Sequence, residues 1–463
     1  MSDRWNRCLV MAGTLLVCQF LLEYSLSAVE LPWRVGVARV KITPDGPYWM
    51  GGYASRDRPS EGTLQDLHAK AIAIDDARGS RVVLVTMDLL VISRDLSQAV
   101  GDRVAREHKL PRSRLLLNCS HTHCGPEVRL YRESLHNIPK VYARKMHAYV
   151  KELEEKLVQL VGKAIANQVP ARLDFSQGLA SFAVNRRNNT QADVPRLRAE
   201  GKLKGPFDHA VPVLRVTTAD KRVLAVLFGY ACHNTTMGQY QTSGDYAGFA
   251  QQYIEEKHPE TLAMFVMGAG GDQNPLPRRT LELLYQHGRA LADAVEKTLA
   301  GSFHEVEGQV RAARGEAALE FQPHADQGTL KKQADAKNKY QRWKANYILG
   351  ELAAGRTISR RYGLPIQVMA FGDDVLLIAI GGETVVDYAL RAKKTYERAG
   401  GPAIWVAGYS NDVFGYLPSL RVLKEGGYEG GGHMVYTKFP GPFTETVEER
   451  IFKTVERLVL QVK

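Results

Sequence analysis

The sequence has few cysteines, five in 463 residues. Two of them, Cys8 and Cys18, lie in an apolar segment at the N-terminus, and the other three, Cys119, Cys124 and Cys232, show no regular spacing. An odd number of irregularly spaced cysteines argues against a disulfide framework, so we expect buried free thiols. After the N-terminal segment there is no Cys-x-x-Cys pair, which argues against a cysteine-rich structural zinc site.

The sequence also lacks long runs of basic residues, although its formal charge is +11, from 61 Lys and Arg against 50 Asp and Glu. Arg186-Arg187 and Arg360-Arg361 are only pairs, whereas nucleic-acid tails carry runs of about five to eight basic residues. Nucleic-acid binding is therefore the weakest function class. A basic surface favours anionic lipids or acidic polysaccharides, or belongs simply to a basic soluble protein.

One apolar segment stands apart, at the N-terminus. Arg4 and Arg7 precede the apolar run Cys8–Leu22, and small residues follow as far as Ala28. This order predicts a secretory signal peptide over residues 1–28, with an uncleaved anchor as the alternative. No later stretch approaches the length of a membrane span. We therefore expect one exported domain, residues 29–463, secreted or periplasmic.

Apolar, strand-like runs alternate with helical patterns along the rest of the chain, without an internal repeat or a domain boundary. The predicted strands are Arg81–Leu90, Leu115–Asn118, Val223–Cys232, Leu262–Met267, Val375–Ile380 and Ala403–Ala407. The predicted helices are Val141–Ala166, Tyr246–Lys257, Leu281–Leu299 and Val385–Ala399, with a solvated helical segment at 328–356. Nearly continuous apolar strands are typical of sheets covered on both faces. The pattern predicts an α/β fold with a mixed β-sheet core flanked by helices.

Polar residues follow each of five predicted strands. In chain order they are His121, His123, His233, Asp272, Asn274, Glu383, Asn411, Asp412 and Tyr416. Each of these residues alone is weak evidence for a metal site, since a His-x-His pair more often packs in the core or lies on the surface than binds metal. Ligands gather beyond the carboxyl ends of strands in open α/β sheets, so we expect one shared pocket. Two histidines, a carboxylate and a third polar ligand suit a catalytic zinc site that keeps a position for water.

The segment His121-Thr-His-Cys-Gly-Pro126 resembles the His-Thr-His-Ser-Gly-Pro motif of the neutral/alkaline ceramidases. Further segments resemble that family in the same order along the chain. They are Gly36–Thr43 with Met50–Tyr53, Asn185-Arg186, His233 with Met237 and Ser243–Asp245, Gly271–Pro275, Gly382–Thr384, Ser410-Asn411 and Tyr428–Gly430. The resemblance implies the family's catalytic-domain fold. Because the chain ends at Lys463, we expect it to lack the C-terminal immunoglobulin-like domain of full-length members.

The resemblance implies a zinc-dependent amidohydrolase that cleaves the N-acyl amide bond of ceramide or a related N-acyl lipid. The implied Zn²⁺ ligands are His121, His233, Glu383 and Tyr416. His123 corresponds to the histidine beside the metal-bound water, where it would exchange the proton. Arg186 and Tyr428 correspond to groups that hold or polarise the substrate amide.

Some positions depart from the family pattern: Cys124 and Asn274 replace serines, and Glu127 replaces a small residue. The alternatives are therefore a zinc esterase or deacylase acting on another substrate, such as an acylated carbohydrate, and a non-catalytic exported binding protein. A cysteine nucleophile is a further, weaker alternative. The expected partner is a small-molecule or lipid substrate without nucleic acid. Membrane-surface association and oligomeric state stay open.

Overall fold

Two β-sheets lie at the centre of the protein in the computed structural model, which describes residues 31–463. Residues 32–463 form one compact unit. The predicted signal peptide at 1–28 lies outside the described residues. Among the helices of the described part, none is both long and apolar enough to cross a membrane.

The strands are numbered in chain order. They are β1 Trp33–Lys41, β2 Gly62–Thr63, β3 His68–Asp76, β4 Arg81–Met87, β5 Leu115–Cys119, β6 Val169–Leu179, β7 Ala183–Asn185, β8 Ala210–Thr218, β9 Val223–Tyr230, β10 Gln241–Thr242, β11 Leu262–Met267, β12 Gln273–Pro275, β13 His304–Val306, β14 Val310–Glu320, β15 Arg361–Phe371, β16 Val375–Ile380, β17 Glu383–Thr384, β18 Ala403–Ala407 and β19 Tyr416–Leu417.

The helices are numbered in the same way. They are α1 Arg94–His108, α2 Arg132–His136, α3 Lys140–Ala166, α4 Val194–Ala199, α5 Asp245–Lys257, α6 Leu281–Leu299, α7 Gln327–Ala334, α8 Lys339–Ala353, α9 Asp387–Tyr396, α10 Leu420–Glu425, α11 Gly427–Gly430 and α12 Val447–Val462. Short 3₁₀ helices cover Arg112–Arg114 and Gly432–Tyr436.

The larger sheet has the strand order β11-β9-β8-β6-β1-β3-β4-β5, and β13 also pairs with β6. Its pairs β11–β9 and β4–β5 are parallel and the others are antiparallel. A second sheet has the order β14-β15-β16-β18 and ends in a parallel pair. The predicted mixed sheet with flanking helices is confirmed, and the division into two sheets is an addition to it.

Alternating residues assign the two faces of each sheet to different cores. In β4, Val83 and Val85 pack against the helices on one side, while Val82 and Leu84 face a core shared with the second sheet. In β16, Leu377 faces that shared core and its neighbours pack against the helices beyond. Since strand side chains alternate between faces, these cores describe four layers: helices, large sheet, small sheet, helices.

The predicted solvated helical segment is two helices rather than one. α7 begins after Asp326, whose side chain accepts a hydrogen bond from the Thr329 amide at 3.0 Å. α8 begins after Asn338, whose side chain accepts from the Tyr340 amide at 2.9 Å. Asp and Asn are preferred N-cap residues because they bind free amides of the first turn. The second cap therefore separates the segment into two helices.

Candidate active site

Strands of both sheets end at the same place. Asn118 in β5 donates from Nδ2 to the Gly408 carbonyl at 2.7 Å and accepts from the Met267 amide at 2.8 Å. Beyond the small sheet, Glu383 and Tyr416 are paired neighbours in the parallel strands β17 and β19. The predicted convergence of polar segments at the carboxyl ends of the strands is therefore present in the structure.

Two histidines are held in the same way. His121 donates from Nδ1 to the Leu90 carbonyl at 2.7 Å, and His233 donates from Nδ1 to the Gly270 carbonyl at 2.7 Å. His121 has φ +62°, a left-handed conformation that a residue with a side chain adopts only at a price in free energy. Burial, with the charge of Arg186, lowers the pKa of His233 to about 3. Neutral rings that donate from Nδ1 keep a lone pair on Nε2.

The Nε2 atoms of the two histidines converge on a carboxylate. Nε2 of His121 and Nε2 of His233 lie 3.2 Å and 3.4 Å from Oε2 of Glu383, and this buried oxygen has no hydrogen-bond partner among the described residues. The Tyr416 hydroxyl lies 3.1 Å from His233 Nε2. Two imidazole nitrogens and a carboxylate oxygen this close together are stable in a buried position only with a proton or a metal cation between them. Nitrogen and carboxylate ligands of this kind suit zinc, so the residues fit the implied metal.

His123 lies beside this cluster but is held differently. Its Nε2 is 3.1 Å from Nε2 of His121, and its ring packs against Tyr53 with centroids 4.7 Å apart. Its Nδ1 is buried with no hydrogen-bond partner in the described part of the chain. Burial and the two neighbouring histidines hold the pKa of His123 well below its ordinary value. Ligand atoms of His121, His123 and His233 all lie within 4.8 Å of one another, so the geometry also allows a metal site formed by the three histidines.

Arg186 and Tyr428 lie on the other side of the cluster. The Arg186 guanidinium is 5.3 Å from the centre of the Tyr416 ring and donates to Glu429 at 2.7 Å; its Nη2 is buried without a partner in the described region. The ring of Tyr428 is 5.1 Å from that of Tyr416, and its side chain is partly exposed. Both residues therefore lie where a substrate bound at the cluster would touch them.

A cavity of about 200 Å³ opens onto these residues. Its lining includes six of the seven predicted site residues, namely His121, His123, Arg186, Glu383, Tyr416 and Tyr428. The seventh, His233, is fully buried beside Glu383 and Tyr416. The structure thus brings all seven together at one place.

The cysteines do not take part in this arrangement. Cys119, Cys124 and Cys232 are buried free thiols, as expected. Burial raises the pKa of the Cys124 thiol to about 12 and raises those of Cys119 and Cys232 further. Since the thiolate is the reactive form, the alternative of a cysteine nucleophile is disfavoured.

Other site residues were missed from the sequence. Tyr409 packs on His121 with ring centroids 4.5 Å apart, and Glu429 binds both Arg186 and Arg187. Glu429 lies next to Tyr428 in the sequence, and its negative charge complements the Arg186-Arg187 pair. This complementarity was the sequence signal that could have identified it. The arginines Arg129, Arg132, Arg278 and Arg279 also line the cavity. No motif marks these last residues, because they come from separate loops and helix ends.

Comparison with known proteins identifies relatives of this chain. It is 26% identical over 244 residues to neutral ceramidase 2 of Arabidopsis thaliana, covering 51% of this chain and 32% of that protein. It is 25% identical over 252 residues to a neutral ceramidase of Oryza sativa subsp. japonica, covering 52% and 31%. The matched region thus spans about a third of the length of these curated relatives.

Solved structures share the fold. The crystal structure of neutral ceramidase from Pseudomonas aeruginosa superposes with a TM-score of 0.69 at 18% identity, covering 92% of this chain and 73% of that one. A ceramidase complexed with C2 gives a TM-score of 0.70 at 18% identity, covering 94% and 76%. In addition, residues 33–275 match the family described as neutral/alkaline non-lysosomal ceramidase, N-terminal. Because this segment makes up more than half of the chain, the protein belongs to the neutral/alkaline non-lysosomal ceramidase family.

Proposed function

We propose that the protein is a zinc-dependent hydrolase that cleaves the N-acyl amide bond of ceramide or a related N-acyl lipid, releasing a fatty acid and an amine. Besides family membership, one observation carries the proposal. The Nε2 atoms of His121 and His233 lie 3.2 Å and 3.4 Å from the buried Oε2 atom of Glu383, beside a cavity that opens to solvent.

His121, His233, Glu383 and Tyr416 would hold the metal. A zinc ion bound there supplies Lewis acidity toward a carbonyl oxygen and lowers the pKa of water. Tyr416 needs help to bind as a phenolate, because burial raises its pKa well above the ordinary value. The guanidinium of Arg186 over its ring opposes this rise, since a positive charge favours the ionised form.

His123 would act as the general base and then the general acid. Histidines that bind a metal nearly always donate their other ring N–H to an acceptor. His121 and His233 do so, whereas Nδ1 of His123 has no partner among the described residues. The low pKa of His123 keeps its ring unprotonated, so His123 is suited to accept a proton from water at Nε2 and to return it readily to the leaving amine, rather than to bind zinc.

Arg186 and Tyr428 would stabilise the negative charge that develops on the carbonyl oxygen. Both are donors that line the cavity, and Nη2 of Arg186 has no other partner in the described region. Donors aimed at developing charge in a site with little water contribute much of the rate enhancement in hydrolases. Glu429 holds Arg186 from behind at 2.7 Å, so the guanidinium is positioned before substrate binds.

The test compares three proteins: wild type, His121→Ala and His123→Ala. Zinc content is measured for each, together with fatty-acid release from a short-chain fluorescent ceramide. We expect about one zinc per chain in wild type and His123→Ala, and much less in His121→Ala. Fatty-acid release should fall at least about a hundredfold in both variants, since general base catalysis contributes about that much or more.

Other outcomes bear on separate parts of the proposal. Loss of zinc from His123→Ala would instead indicate the three-histidine site. Zinc without any amide or ester hydrolysis would favour the non-catalytic binding protein. Absence of zinc after reconstitution of the wild type would contradict the proposed mechanism.

We also propose that the chain is exported after cleavage near Ala28, on the order of charged, apolar and small residues before it. Expression of the full chain, followed by N-terminal sequencing of protein from the periplasm and medium, tests this. A start near Val29 would support export. Retention of Met1 on membrane-bound protein would indicate an uncleaved anchor.

A further inference from the structure

The cavity beside the proposed zinc site carries an excess of positive charge. Five arginines line it, and Glu383 is the one carboxylate among its described lining residues. The five are Arg129, Arg132, Arg186, Arg278 and Arg279. They differ in whether an acidic side chain neutralises them.

Two of these arginines are neutralised. Arg129 forms a buried two-point ion pair with Glu127, with contacts of 2.8 Å and 2.7 Å. Arg186 donates to the buried carboxylate of Glu429 at 2.7 Å. Their charges are therefore largely balanced before any ligand binds.

The other three have neutral partners only, and no carboxylate of residues 31–463 lies within 4.0 Å of them. Arg278 donates to Thr235 Oγ1 and Gln191 Oε1, both at 3.1 Å. Arg279 donates to the Tyr53 hydroxyl at 2.9 Å and to the Met237 carbonyl at 3.0 Å. These contacts orient the guanidinium groups without reducing their charge.

The third, Arg132, has two side-chain hydrogen-bond partners among the described residues, Tyr131 and His136. Its Nη1 lies 3.5 Å from Nε2 of His136, and burial together with the charge of Arg132 lowers the pKa of that histidine to about 4. His136 is therefore neutral near pH 7 and supplies no negative charge to the guanidinium. Arg132 begins α2, at a distance in sequence from Arg278 and Arg279, so two separate parts of the chain supply the positive charge.

The backbone around Arg279 is built to hold this residue in place. Arg279 has φ +94°, a region that residues with a side chain rarely adopt. Its guanidinium lies against Gly238, where a Cβ atom would be 2.3 Å from Nη1. A strained backbone persists only where the surrounding structure enforces it, commonly at a binding site. Arg279 is an exposed residue, but its backbone conformation and its two hydrogen bonds hold its guanidinium beside the cavity.

We propose, on the basis of the zinc amide hydrolase proposed above, that the preferred substrate is an N-acyl amine bearing a carboxylate or phosphate close to the scissile bond, which Arg132, Arg278 and Arg279 bind. Guanidinium groups bind these oxyanions through paired, charge-assisted hydrogen bonds. The three arginines share a cavity of only about 200 Å³ with the metal-binding residues. A group bound by them therefore shares this cavity with an amide held at the metal site.

The apolar part of the lining agrees with this substrate class. Met50, Ala54 and Leu90 are the aliphatic residues of the lining in the described chain, and Met50 and Leu90 are themselves almost fully buried. Binding a long hydrocarbon chain requires an extended apolar surface. This cavity offers mainly charged and aromatic donors, so it suits the polar part of an N-acyl compound rather than its acyl chain.

The test uses three substrates that share an acyl chain: N-hexanoylethanolamine, N-hexanoylglycine and N-hexanoylethanolamine phosphate. The first two differ chiefly in a hydroxymethyl group against a carboxylate, so their ratio of kcat/KM isolates the charge. For zinc-loaded wild type we expect the anionic compounds to exceed the neutral one by about tenfold to hundredfold, the range for hydrogen bonds to charged groups. The two anions compared with each other distinguish a carboxylate site from a phosphate site.

The variants Arg278→Gln, Arg279→Gln and Arg132→Gln should each reduce that preference by about tenfold, because each removes a charge-assisted contact. Their zinc content should stay close to that of wild type, and their kcat/KM for N-hexanoylethanolamine should fall much less than their kcat/KM for the two anionic compounds. The matched control is Arg144→Gln: Arg144 is exposed on α3 and does not line the cavity. The control removes one charge from the surface and should leave the preference unchanged.

Equal kcat/KM for the three compounds would overturn the substrate class while leaving the hydrolase intact. A preference that Arg144→Gln reduces as much as the cavity variants do would also overturn the substrate class, since such a preference would reflect overall charge.

If zinc-loaded protein hydrolyses none of the compounds, the hydrolase proposal fails for them. Their Kd values, measured by calorimetry on wild type and Arg278→Gln, then test the anion site separately: a tighter Kd for the anions that is lost in the variant supports it, and equal Kd values overturn it.

Discussion

Glu127 and Arg129 form a buried ion pair close to the cavity. Glu127 accepts from the Arg129 guanidinium and from the backbone amides of Val128 and Arg129. Burial acts to raise the pKa of this carboxyl, but the charge and hydrogen bonds of Arg129 outweigh it and lower the pKa from 4.5 to about 2. Glu127 therefore neutralises an arginine of the cavity lining.

The ion pair makes stability depend on pH in a defined direction. Because the pKa of Glu127 is lower in the folded than in the unfolded protein, its stabilisation is present above pH 4.5 and is lost as the pH falls toward 2. Glu127→Gln should lower the free energy of unfolding at pH 7 by about 3–5 kcal/mol, since it leaves Arg129 buried and unpaired. Urea unfolding at pH 7 and at about pH 3 measures both effects.

The matched control for this variant is Glu61→Gln, in which the exposed pair of Arg58 and Glu61 is broken. We expect a change below about 1 kcal/mol, as for other exposed ion pairs. If the two variants lose the same free energy, the buried pair has no special role. If Glu127→Gln keeps the acid sensitivity of wild type between about pH 5 and pH 2, another carboxylate is responsible.

Glu429 positions Arg186 for its proposed contact with the substrate carbonyl. Glu429→Gln should lower kcat about tenfold to hundredfold with a smaller change in KM, because a displaced catalytic donor affects mainly the transition state. Glu425 is the control: it binds Arg187 at 3.2 Å, as Glu429 does at 2.6 Å, but does not contact Arg186. Steady-state kinetics that show equal losses in Glu429→Gln and Glu425→Gln would contradict the positioning role.

At the scale of elements, the carboxyl end of β5 connects the two sheets. The Asn118 side chain contacts Met267 at the end of β11 and Gly408 and Ser410 after β18. The backbone adds a hydrogen bond of 2.7 Å from the Asn411 amide to the Leu117 carbonyl. These bonds fix the strand end that leads directly to His121.

Asn118→Ala should therefore reduce both stability and metal binding. It leaves buried partners at Met267 and Gly408 without their hydrogen bonds, which should lower the free energy of unfolding by about 2–4 kcal/mol. Zinc affinity should fall as well, because the end of β5 that leads to His121 is no longer held in a fixed position. Ser410→Ala removes one of the contacts and should cost about 1 kcal/mol. Calorimetric zinc titration and urea unfolding distinguish the variants, and equal stability of Asn118→Ala and wild type would contradict the role of Asn118.

Some elements were predictable from local pattern and others were not. The bounds of β11, β16 and β18 agree with the sequence prediction, because their short apolar runs are covered on both faces. By contrast, β1 and β6 were not predicted, since they mix buried and exposed positions over 9 and 11 residues. A strand of that kind is recognisable chiefly once its partners are known.

At the scale of the whole molecule, the division into two sheets was not predictable from the sequence. Trp405 in β18 packs near Phe175 in β6 with ring centroids 6.3 Å apart, yet these residues are far apart in sequence and show no common pattern. The site was easier to predict from the sequence, because polar residues after apolar strands mark the strand ends directly. The cavity arginines lack such a marker, so their common location emerges only from the folded chain.

The proposed metal site joins the two sheets. His121 and His233 follow strands of the large sheet, while Glu383 and Tyr416 follow strands of the small one. A ligand that binds only the folded state stabilises it by RT ln(1 + [L]/Kd), or about 2.7 kcal/mol at a free concentration one hundred times Kd. Since the ligands come from both sheets, zinc should stabilise the molecule as a whole rather than one sheet.

We therefore expect zinc to shift the urea midpoint equally for tryptophan fluorescence and for far-ultraviolet circular dichroism. Two of the five tryptophans, Trp33 and Trp405, lie in the core shared by the two sheets, so tryptophan fluorescence responds to exposure of this core, whereas circular dichroism reports all elements. Coincident transitions with and without zinc indicate one cooperative unit. His121→Ala should abolish the shift, and Arg144→Gln should keep it. Two separate transitions, of which zinc moves only one, would show that the sheets unfold independently and that the metal is bound within one of them.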